Sequence, residues 1–308
     1  MARNVVITGG AGFIGSHLAE ALHAQGRSLV LIDDLSTGRR DNISALADER
    51  CELIVGRVSE VLARQPDLLR CAACVFHLAA AVGVKLVVDD PPAMIRNNID
   101  ETAAVLEAAA HARVPVLIAA SSEVYGLNPN MPLAEDQTLL YGPTHSSRWS
   151  YAMTKALDEH LALAMHRRGQ VSAVIARLFN TIGPRQVGNY GMVVPRFIER
   201  ALCGEALEMY GDGRQTRSFC DVRDVVRALA ALMDDTDLHG RVYNVGCDAE
   251  ITIDALADRV ITLAGGGAKR YLPYDQAYAP GFEDPKRRVP DLTRLRDAID
   301  FKPKYTLD

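Results

Sequence analysis

The sequence predicts an α/β fold in which a doubly wound parallel sheet is followed by a smaller C-terminal substrate-binding domain. Short apolar runs, typical of buried parallel strands, recur along the first 180 residues. Amphipathic helical patterns separate them, as at 93–112 and 151–168. A glycine cluster at 9–15 stands between the first apolar run and the first helical pattern. This alternation favours a parallel sheet with helices on both faces.

The composition excludes several classes of protein. The 308 residues are 48% hydrophobic and 24% charged, as in an ordinary globular chain. The formal net charge is -5 and no Lys/Arg-rich run occurs, so we expect no nucleic acid or anionic membrane surface as partner. No apolar run reaches membrane-spanning length. The six cysteines include one CxxC, Cys71 to Cys74, with apolar neighbours; we expect core thiols, no metal site and a cytoplasmic protein.

The first strand and helix are predicted to hold a dinucleotide. Gly9, Gly12 and Gly15 permit a tight turn, a close pyrophosphate and helix–strand packing, and the helix N-terminus faces the phosphates. A second strand, 28–32, ends at Asp33, where an acid binds the adenosine ribose and repels a 2′-phosphate. This Rossmann-type pattern favours NAD over NADP, with Arg39-Arg40 as a solvated loop. The expected cofactor contacts are Gly9, Gly12, Phe13, Ile14, Gly15, Asp33, Asn98, Tyr151 and Lys155.

Four more strands are expected in order, at 52–58, 73–78, 114–119 and 172–177. Ser121 follows the carboxyl end of the third of these strands, where open α/β sheets bind their ligands. His77 lies at the end of strand 73–78 and is predicted to be a core histidine rather than a catalytic one.

Tyr151 and Lys155 are four residues apart and should share one face of a helix. A phenol with a pKa near ~10 is a poor base at neutral pH. A neighbouring ammonium and a positively charged nicotinamide would lower this pKa to about 7, a change worth about 4 kcal/mol. Such a base suits proton transfer from a carbohydrate hydroxyl while a cofactor takes the hydride. The spacing alone is weak evidence for a catalytic pair, because Tyr and Lys on one helix face often point to solvent. The upstream glycine cluster strengthens this interpretation.

Together, the glycine cluster, Asp33, Ser121, Tyr151 and Lys155 resemble the extended short-chain dehydrogenases that modify nucleotide sugars. The resemblance covers essentially the whole chain. It implies a tightly held NAD that is reduced and reoxidised within one turnover. It also implies that Tyr151 is the base for the sugar 4-hydroxyl, that Ser121 shares that hydrogen bond, and that a 4-keto sugar forms.

Further segments are most similar to UDP-glucuronic acid decarboxylases and UDP-apiose/xylose synthases. We therefore expect a 4-keto intermediate to lose carbon dioxide as a β-keto acid, giving UDP-xylose or a 4-keto pentose. Sugar 4-epimerases typically have a hydroxyl or small residue at Glu123, and dTDP-glucose-type dehydratases have Asp at Ser122. GDP-mannose-type dehydratases share Ser-Glu but usually take NADP. The matching segments are 122–126, 142–143, 148–151, 177–185, 211–219 and 281–291.

The expected substrate contacts come from the same resemblance. Glu123 is expected to be a catalytic proton donor or a positioning residue, with its pKa raised by burial beside a substrate carboxylate. Arg288 is expected to bind the substrate diphosphate or carboxylate, although the cluster 286–288 could also be a solvated face. Arg217 is expected on the nucleotide phosphates or ribose, and Asn180 on the diphosphate unless it is only a turn residue. Ser122 completes this set.

The division into domains and the alternatives complete the prediction. Residues 1–180 are expected to bind NAD and 181–308 mainly the nucleotide sugar, with 218–247 returning to the sheet. Arg57 stands where the family often has an aspartate, which leaves adenine recognition open. The alternatives are a UDP-sugar 4-epimerase acting on UDP-glucose or UDP-glucuronic acid, a 4,6-dehydratase, and a non-catalytic NAD sensor. The apolar faces of helices 93–112 and 151–168 predict a homodimer.

Overall fold

The central feature of the computed structural model is a seven-stranded, all-parallel sheet. The structure describes residues 3–81, 90–188, 192–273 and 285–307. The strands are β1 (Asn4–Thr8), β2 (Leu29–Asp33), β3 (Cys51–Val55), β4 (Ala72–His77), β5 (Val116–Ser121), β6 (Ala173–Leu178), β7 (Thr181–Ile182), β8 (Leu207–Tyr210), β9 (Thr216–Ser218), β10 (Cys220–Asp221), β11 (Val242–Val245), β12 (Glu250–Thr252) and β13 (Lys269–Leu272). The order in the central sheet is β11-β6-β5-β4-β1-β2-β3.

Helices cover both faces of this sheet, which confirms the predicted fold class. One apolar cluster joins the sheet to the helices at 13–24, 222–234 and 293–299, and a second joins it to the helices at 58–64, 91–112 and 150–167. Within the described residues, no helix is long and apolar enough to cross a bilayer. The helices are α1 (Phe13–Ala24), α2 (Val58–Arg64), α3 (Pro91–Ala112), α4 (Ser150–Arg167), α5 (Val193–Leu202), α6 (Val222–Asp234), α7 (Ile253–Leu263) and α8 (Thr293–Ile299).

The chain after β6 builds a smaller layer beside the carboxyl edge of the sheet. Three two-stranded sheets, β7 with β10, β8 with β13 and β9 with β12, surround a third apolar cluster with α5 and α7. The chain then returns, because β11 pairs with β6 in parallel and α6 packs against α1. The second half of the sequence is therefore interleaved with the first.

Two local expectations differ from the structure, and a third is confirmed. The third strand ends at Val55 rather than residue 58, because Gly56 has a φ of +154° and the chain turns there into α2. Cys71 is exposed, not a core thiol, whereas Cys74 is buried. His77 is a satisfied core histidine, bonded to Thr8 and Thr102, and burial lowers its pKa to about 3.

Candidate active site

A cavity of about 610 Å³ runs along the carboxyl edge of the central sheet. It reaches from the end of β3 past β2, β1 and β5 to the loop before α5. This is the edge at which open α/β sheets bind ligands. The structure brings most predicted site residues into its wall: Gly9, Gly12, Phe13, Ile14, Gly15, Asp33, Ser121, Ser122, Glu123, Tyr151, Lys155, Asn180 and Arg288.

The glycine loop is packed too closely for any side chain. Gly9 has a φ of +70°, and a Cβ there would lie 2.9 Å from the backbone nitrogen of Ala79. A Cβ on Gly15 would lie 2.0 Å from the carbonyl oxygen of Gly9, so the first turn of α1 rests directly on the loop. The backbone N–H groups at this helix end are therefore open to an anionic group in the cavity. The loop fits the pyrophosphate of a dinucleotide.

Asp33 is fixed to the same loop at the end of β2. Its Oδ2 accepts the N–H of Ala11 and its Oδ1 accepts the N–H of Leu35, both at 2.9 Å. Burial raises the pKa of Asp33, and these two hydrogen bonds oppose the rise. The carboxylate still faces the cavity, where its remaining lone pairs suit the hydroxyl groups of an adenosine ribose. Arg39 and Arg40 are exposed, as predicted for a solvated loop.

Ser121, Tyr151 and Lys155 all line the cavity. Ser121 ends β5, and the other two lie one turn apart on α4, so both reach the same wall. Tyr151 is hydrogen-bonded to Ser121. The ammonium of Lys155 is almost fully buried and lies 3.1 Å from Oδ2 of Asp158, which fixes its position in the cavity wall.

The environment of Tyr151 differs from the expectation in one respect. Burial and the charge of Glu123 raise the pKa of Tyr151 above its ordinary value, while the hydrogen bond with Ser121 acts in the other direction. The predicted fall towards 7 is therefore absent in the protein alone, partly because Lys155 is already paired with Asp158. The fall requires the positive charge that oxidised nicotinamide would supply.

Asn98 is hydrogen-bonded to residues next to the cavity but does not line it. It is buried, its Oδ1 accepts the N–H of Ala81 at 2.7 Å, and its Nδ2 lies 3.3 Å from Oγ1 of Thr154 on α4. These bonds join α3 to the segment after β4 and to the helix of Tyr151. Its neighbour Asn97, rather than Asn98, lines the cavity. A direct cofactor contact of Asn98 remains a prediction.

Glu123 lies between two arginines, which corrects the expected direction of its pKa. Its Oε1 is 2.5 Å from Nη1 of Arg288, and its Oε2 is 2.7 Å from Nη1 of Arg148. Burial opposes ionisation, but the two guanidinium groups outweigh it and lower the pKa of Glu123 to about 2. Glu123 is therefore ionised in this arrangement, and its role as a proton donor or a positioning residue stays a prediction. Arg288 is largely buried, so the solvated-face alternative is wrong.

Arg148 is a site residue that the sequence reasoning did not single out. It lies three residues before Tyr151, in a short 3-10 helix, Ser147–Trp149, that leads into α4. This spacing is a signal that could have found it, since residues three apart on a helix share a side. Its guanidinium also lies 5.1 Å from the ring centre of Trp149, which is buried.

The two remaining predicted substrate residues, Asn180 and Arg217, differ in their position relative to the cavity. Asn180 lines the cavity. Its Nδ2 donates a hydrogen bond to the carbonyl oxygen of Ser218 at 2.9 Å, and its Oδ1 takes no part in that bond. Arg217 lies on β9, outside the cavity wall that the described residues form. Its Nη1 donates to the carbonyl of Thr216 at 2.7 Å. A contact between Arg217 and a nucleotide therefore stays a prediction.

This fold and site define an enzyme that uses a nicotinamide dinucleotide. Comparison with known proteins places it more closely: residues 5–246 match the family model described as the NAD dependent epimerase/dehydratase family. The chain belongs to this family, and its cofactor is NAD. When bound, NAD accepts a hydride from the substrate and returns it.

The similar proteins include decarboxylases of UDP-linked sugar acids. The chain is 38% identical to a UDP-N-acetyl-alpha-D-glucosaminuronate decarboxylase of Bacillus cytotoxicus, over 99% of this chain and 94% of that protein. It is 33% identical to UDP-glucuronic acid decarboxylase 1 of Arabidopsis thaliana, over 98% of this chain and 67% of that protein. The structure of MoeE5 in complex with UDP-glucuronic acid and NAD is similar, with a TM-score of 0.83, 30% identity, and coverage of 99% and 95% of the two chains.

Proposed function

We propose that this enzyme decarboxylates a UDP-linked hexuronic acid, with UDP-glucuronic acid as the first candidate, through a 4-keto intermediate. One observation carries the proposal: two arginines and one glutamate converge in the cavity wall beside Tyr151. Two positive charges against one negative charge leave a net charge of +1. That charge matches one carboxylate of a bound sugar acid, and an uncharged hexose would leave it unbalanced.

The proposed chemistry begins at carbon 4 of the sugar. Tyr151 takes the proton of the 4-hydroxyl and Ser121 shares that hydrogen bond, while a bound NAD would accept the hydride of carbon 4. The product is a ketone in the β position to the carboxylate. The bond from carbon 5 to the carboxyl carbon then breaks, carbon dioxide leaves, and its electron pair forms the enolate of the ketone. Carbon 5 takes up a proton, and return of the hydride and of the Tyr151 proton completes a UDP-pentose.

Arg288 and Arg148 have the central role in the decarboxylation step. A substrate carboxylate beside them competes with Glu123 for their N–H donors, since each is already engaged by that side chain. The carboxylate is held as an anion in a largely buried site, which fixes its bond to carbon 5 relative to the ketone. Glu123 acts as the permanent counter-ion that keeps both guanidinium groups in place after carbon dioxide has left.

The remaining assignments extend this proposal. Residues 1–180 hold the cofactor, and residues 181–308 hold mainly the nucleotide sugar. Asn180, Ser122 and Arg217 are proposed to contact the sugar nucleotide. The first two are supported by their position in the cavity wall, and Arg217 by its sequence resemblance alone.

Proton NMR of the protein with NAD and each of two acids, UDP-glucuronic acid and UDP-N-acetylglucosaminuronic acid, tests the proposed function. We expect loss of the carbon-5 doublet and the appearance of a pentose with two protons on carbon 5, together with carbon dioxide. Conversion of the acid to its carbon-4 epimer would replace the proposal by the epimerase alternative. No change in either acid would refute it. The variant Tyr151→Phe is the control for protein-dependent turnover.

We also propose that the protein is a cytoplasmic homodimer. A stripe of apolar side chains, Met153, Leu157 and Leu161, runs along the outer side of α4 at a spacing of four residues. Leu157 is 53% exposed and Leu161 is 37% exposed. Such a stripe is complementary to its own copy across a two-fold axis. The free cysteines support a reducing compartment.

A further inference from the structure

The end of the cavity farthest from Tyr151 has a chemistry of its own. The strand order places β1 and β4 between Asp33 on β2 and Ser121 on β5, and places β3 beyond β2. A dinucleotide with its nicotinamide beside Tyr151, its phosphates at Gly9–Gly15 and its ribose at Asp33 therefore has its purine base beyond β2. The cavity wall there is formed by Gly56, Arg57, Val58, Asn97 and Glu101.

Arg57 is held rigidly in this part of the wall. Its Nη2 lies 2.9 Å from Oε1 of Glu101 and 3.0 Å from Oδ1 of Asn97, and its Nε lies 3.1 Å from the same oxygen of Glu101. Glu101 is buried and also accepts the N–H and the hydroxyl of Ser59, at 2.6 and 2.8 Å. The guanidinium group is therefore oriented before any ligand arrives.

Arg57 and Asn97 keep unused hydrogen-bond donors at this end of the cavity. Glu101 already accepts from four donor atoms, and the carbonyl oxygen of Asn97 is engaged by Arg57. Among the described residues, Nη1 of Arg57 and the amide nitrogen of Asn97 have no partner. The side chain of Arg57 is 46% exposed, and Arg57 lines the cavity. The base therefore meets fixed donors where an aspartate would offer acceptors.

We propose that Arg57 recognises the purine base of the dinucleotide and makes the site tolerant of a 6-oxopurine. Adenine offers a donor, its 6-amino group, beside the acceptors N1 and N7. Hypoxanthine and guanine offer only acceptors, O6 and N7, on the same edge, and the free Nη1 of Arg57 can donate to O6. A fixed donor thus favours the oxo group over the amino group at position 6. The inference rests on dinucleotide binding and not on the proposed decarboxylation.

A competition experiment tests this proposal without using activity. The purified protein is incubated with a large equimolar excess of NAD and nicotinamide hypoxanthine dinucleotide until the bound ratio is constant. Free nucleotide is removed, the protein is denatured, and the two dinucleotides are quantified by chromatography. We expect the wild-type protein to hold at least as much of the hypoxanthine dinucleotide as of NAD. A tenfold or greater preference for NAD would overturn the proposal, with Asp34, which also lines the cavity, as an acceptor for the amine.

Two variants assign the effect to Arg57. Arg57→Asp replaces the donors by an acceptor, so the ratio should move at least about tenfold towards NAD, the size of one good base contact. Arg57→Leu provides neither donors nor an acceptor and should give an intermediate ratio of the two bound dinucleotides. Arg40→Asp makes the same charge change on an exposed residue outside the cavity wall and should leave the ratio as in the wild type. An unchanged ratio in a folded Arg57→Asp protein would exclude a base contact.

The same experiment distinguishes a base from a phosphate. If Arg57 instead recognised a 2′-phosphate, NADP would compete equally with NAD in the wild type and lose that ability in Arg57→Leu. That result would overturn the proposal. We expect NADP to be excluded by Asp33 in both proteins, whatever the outcome of the sugar-acid assays.

Discussion

Tyr151 is the residue on which the proposed reaction depends most directly. Its phenol is hydrogen-bonded to Ser121, and Lys155 lies one turn further along the same helix. Replacement by phenylalanine removes the proton acceptor and keeps the ring. We expect Tyr151→Phe to lower kcat by about 10²–10⁴-fold, the usual contribution of a general base. Turnover is measured by NMR. Activity near that of the wild type would contradict the mechanism.

Glu123 allows the two chemical steps to be separated. The variant Glu123→Gln keeps the shape but leaves the charges of Arg148 and Arg288 uncompensated. We expect the loss of decarboxylation to exceed the loss of carbon-4 oxidation by about tenfold or more, in the range for a fixed electrostatic group. Single-turnover absorbance at the NADH band reports oxidation, and carbon dioxide release reports decarboxylation.

A neighbouring ion pair provides the matched control for this variant. Glu250 pairs with Arg287 on the exposed side of the same segment, so Glu250→Gln should affect neither step. If Glu123→Gln lowers both steps equally, Glu123 has a structural role only.

The low pKa of Glu123 also predicts how stability depends on pH. Since its folded value is about 2 and its ordinary value is 4.5, the folded protein binds fewer protons than the unfolded chain between these limits. The stabilisation is complete above about pH 4.5 and is lost as the pH falls towards 2. Thermal unfolding should therefore show a gap between wild type and Glu123→Gln that is constant from pH 7 to 5 and narrows below pH 4.5. A gap that widens on acidification would contradict the ion-pair account.

At the scale of single residues, the sequence predicts which side chains form the site better than it predicts their electrostatic environments. Ser121, Tyr151 and Lys155 are recognisable because they lie at predictable places on a strand and a helix. The ionised state of Glu123 was not predictable, because Arg288 is 165 residues away in the chain and only the tertiary fold joins them.

At the scale of elements, the contact between α1 and its glycine loop is the tightest in the cofactor site. A Cβ on Gly15 would meet the Gly9 carbonyl at 2.0 Å, and both atoms belong to backbone that cannot move alone. We expect Gly15→Ala to destabilise the protein by about 3 kcal/mol, at the upper end for overpacking, and to lower NAD retention. Gly12→Ala, whose Cβ would lie 3.1 Å from the same oxygen, should be milder. Denaturant unfolding measures both, and equal stability of the two variants would contradict this packing argument.

Element boundaries were less predictable than element types. The apolar run at 52–58 reads as one strand, but Gly56 turns the chain and Val58 begins α2. The turn matters because it moves Arg57 from the sheet into the cavity wall. By contrast, Asp90 caps α3 by accepting the N–H of Ala93, and the prolines that follow suit the first helical turn, so this helix starts within two residues of the expected position.

At the scale of the whole molecule, the parallel sheet was predictable because each βα unit is local in sequence. The interleaving of the two halves of the chain was only partly predictable from the sequence. The strand-like run at 242–245 suggested a return to the sheet, but its pairing with β6 depends on α6 packing against α1. Likewise, the smaller layer consists of strands of two to four residues, which are too short to carry a periodic signal.

The outer side of α4 supplies the prediction for the assembled molecule. Leu157 and Leu161 are exposed on the helix that carries Tyr151 and Lys155, so a partner packed on this stripe would stabilise the catalytic helix. We expect light scattering to give twice the mass of one chain for the wild type. Since an interface of standard size buries about 1,600 Å², two charges at its centre should abolish it, and Leu157→Glu with Leu161→Glu should give monomers with reduced turnover. Leu202→Glu, on an exposed leucine of α5, should remain dimeric. A wild-type monomer, or a double variant that stays dimeric, would remove α4 from the interface.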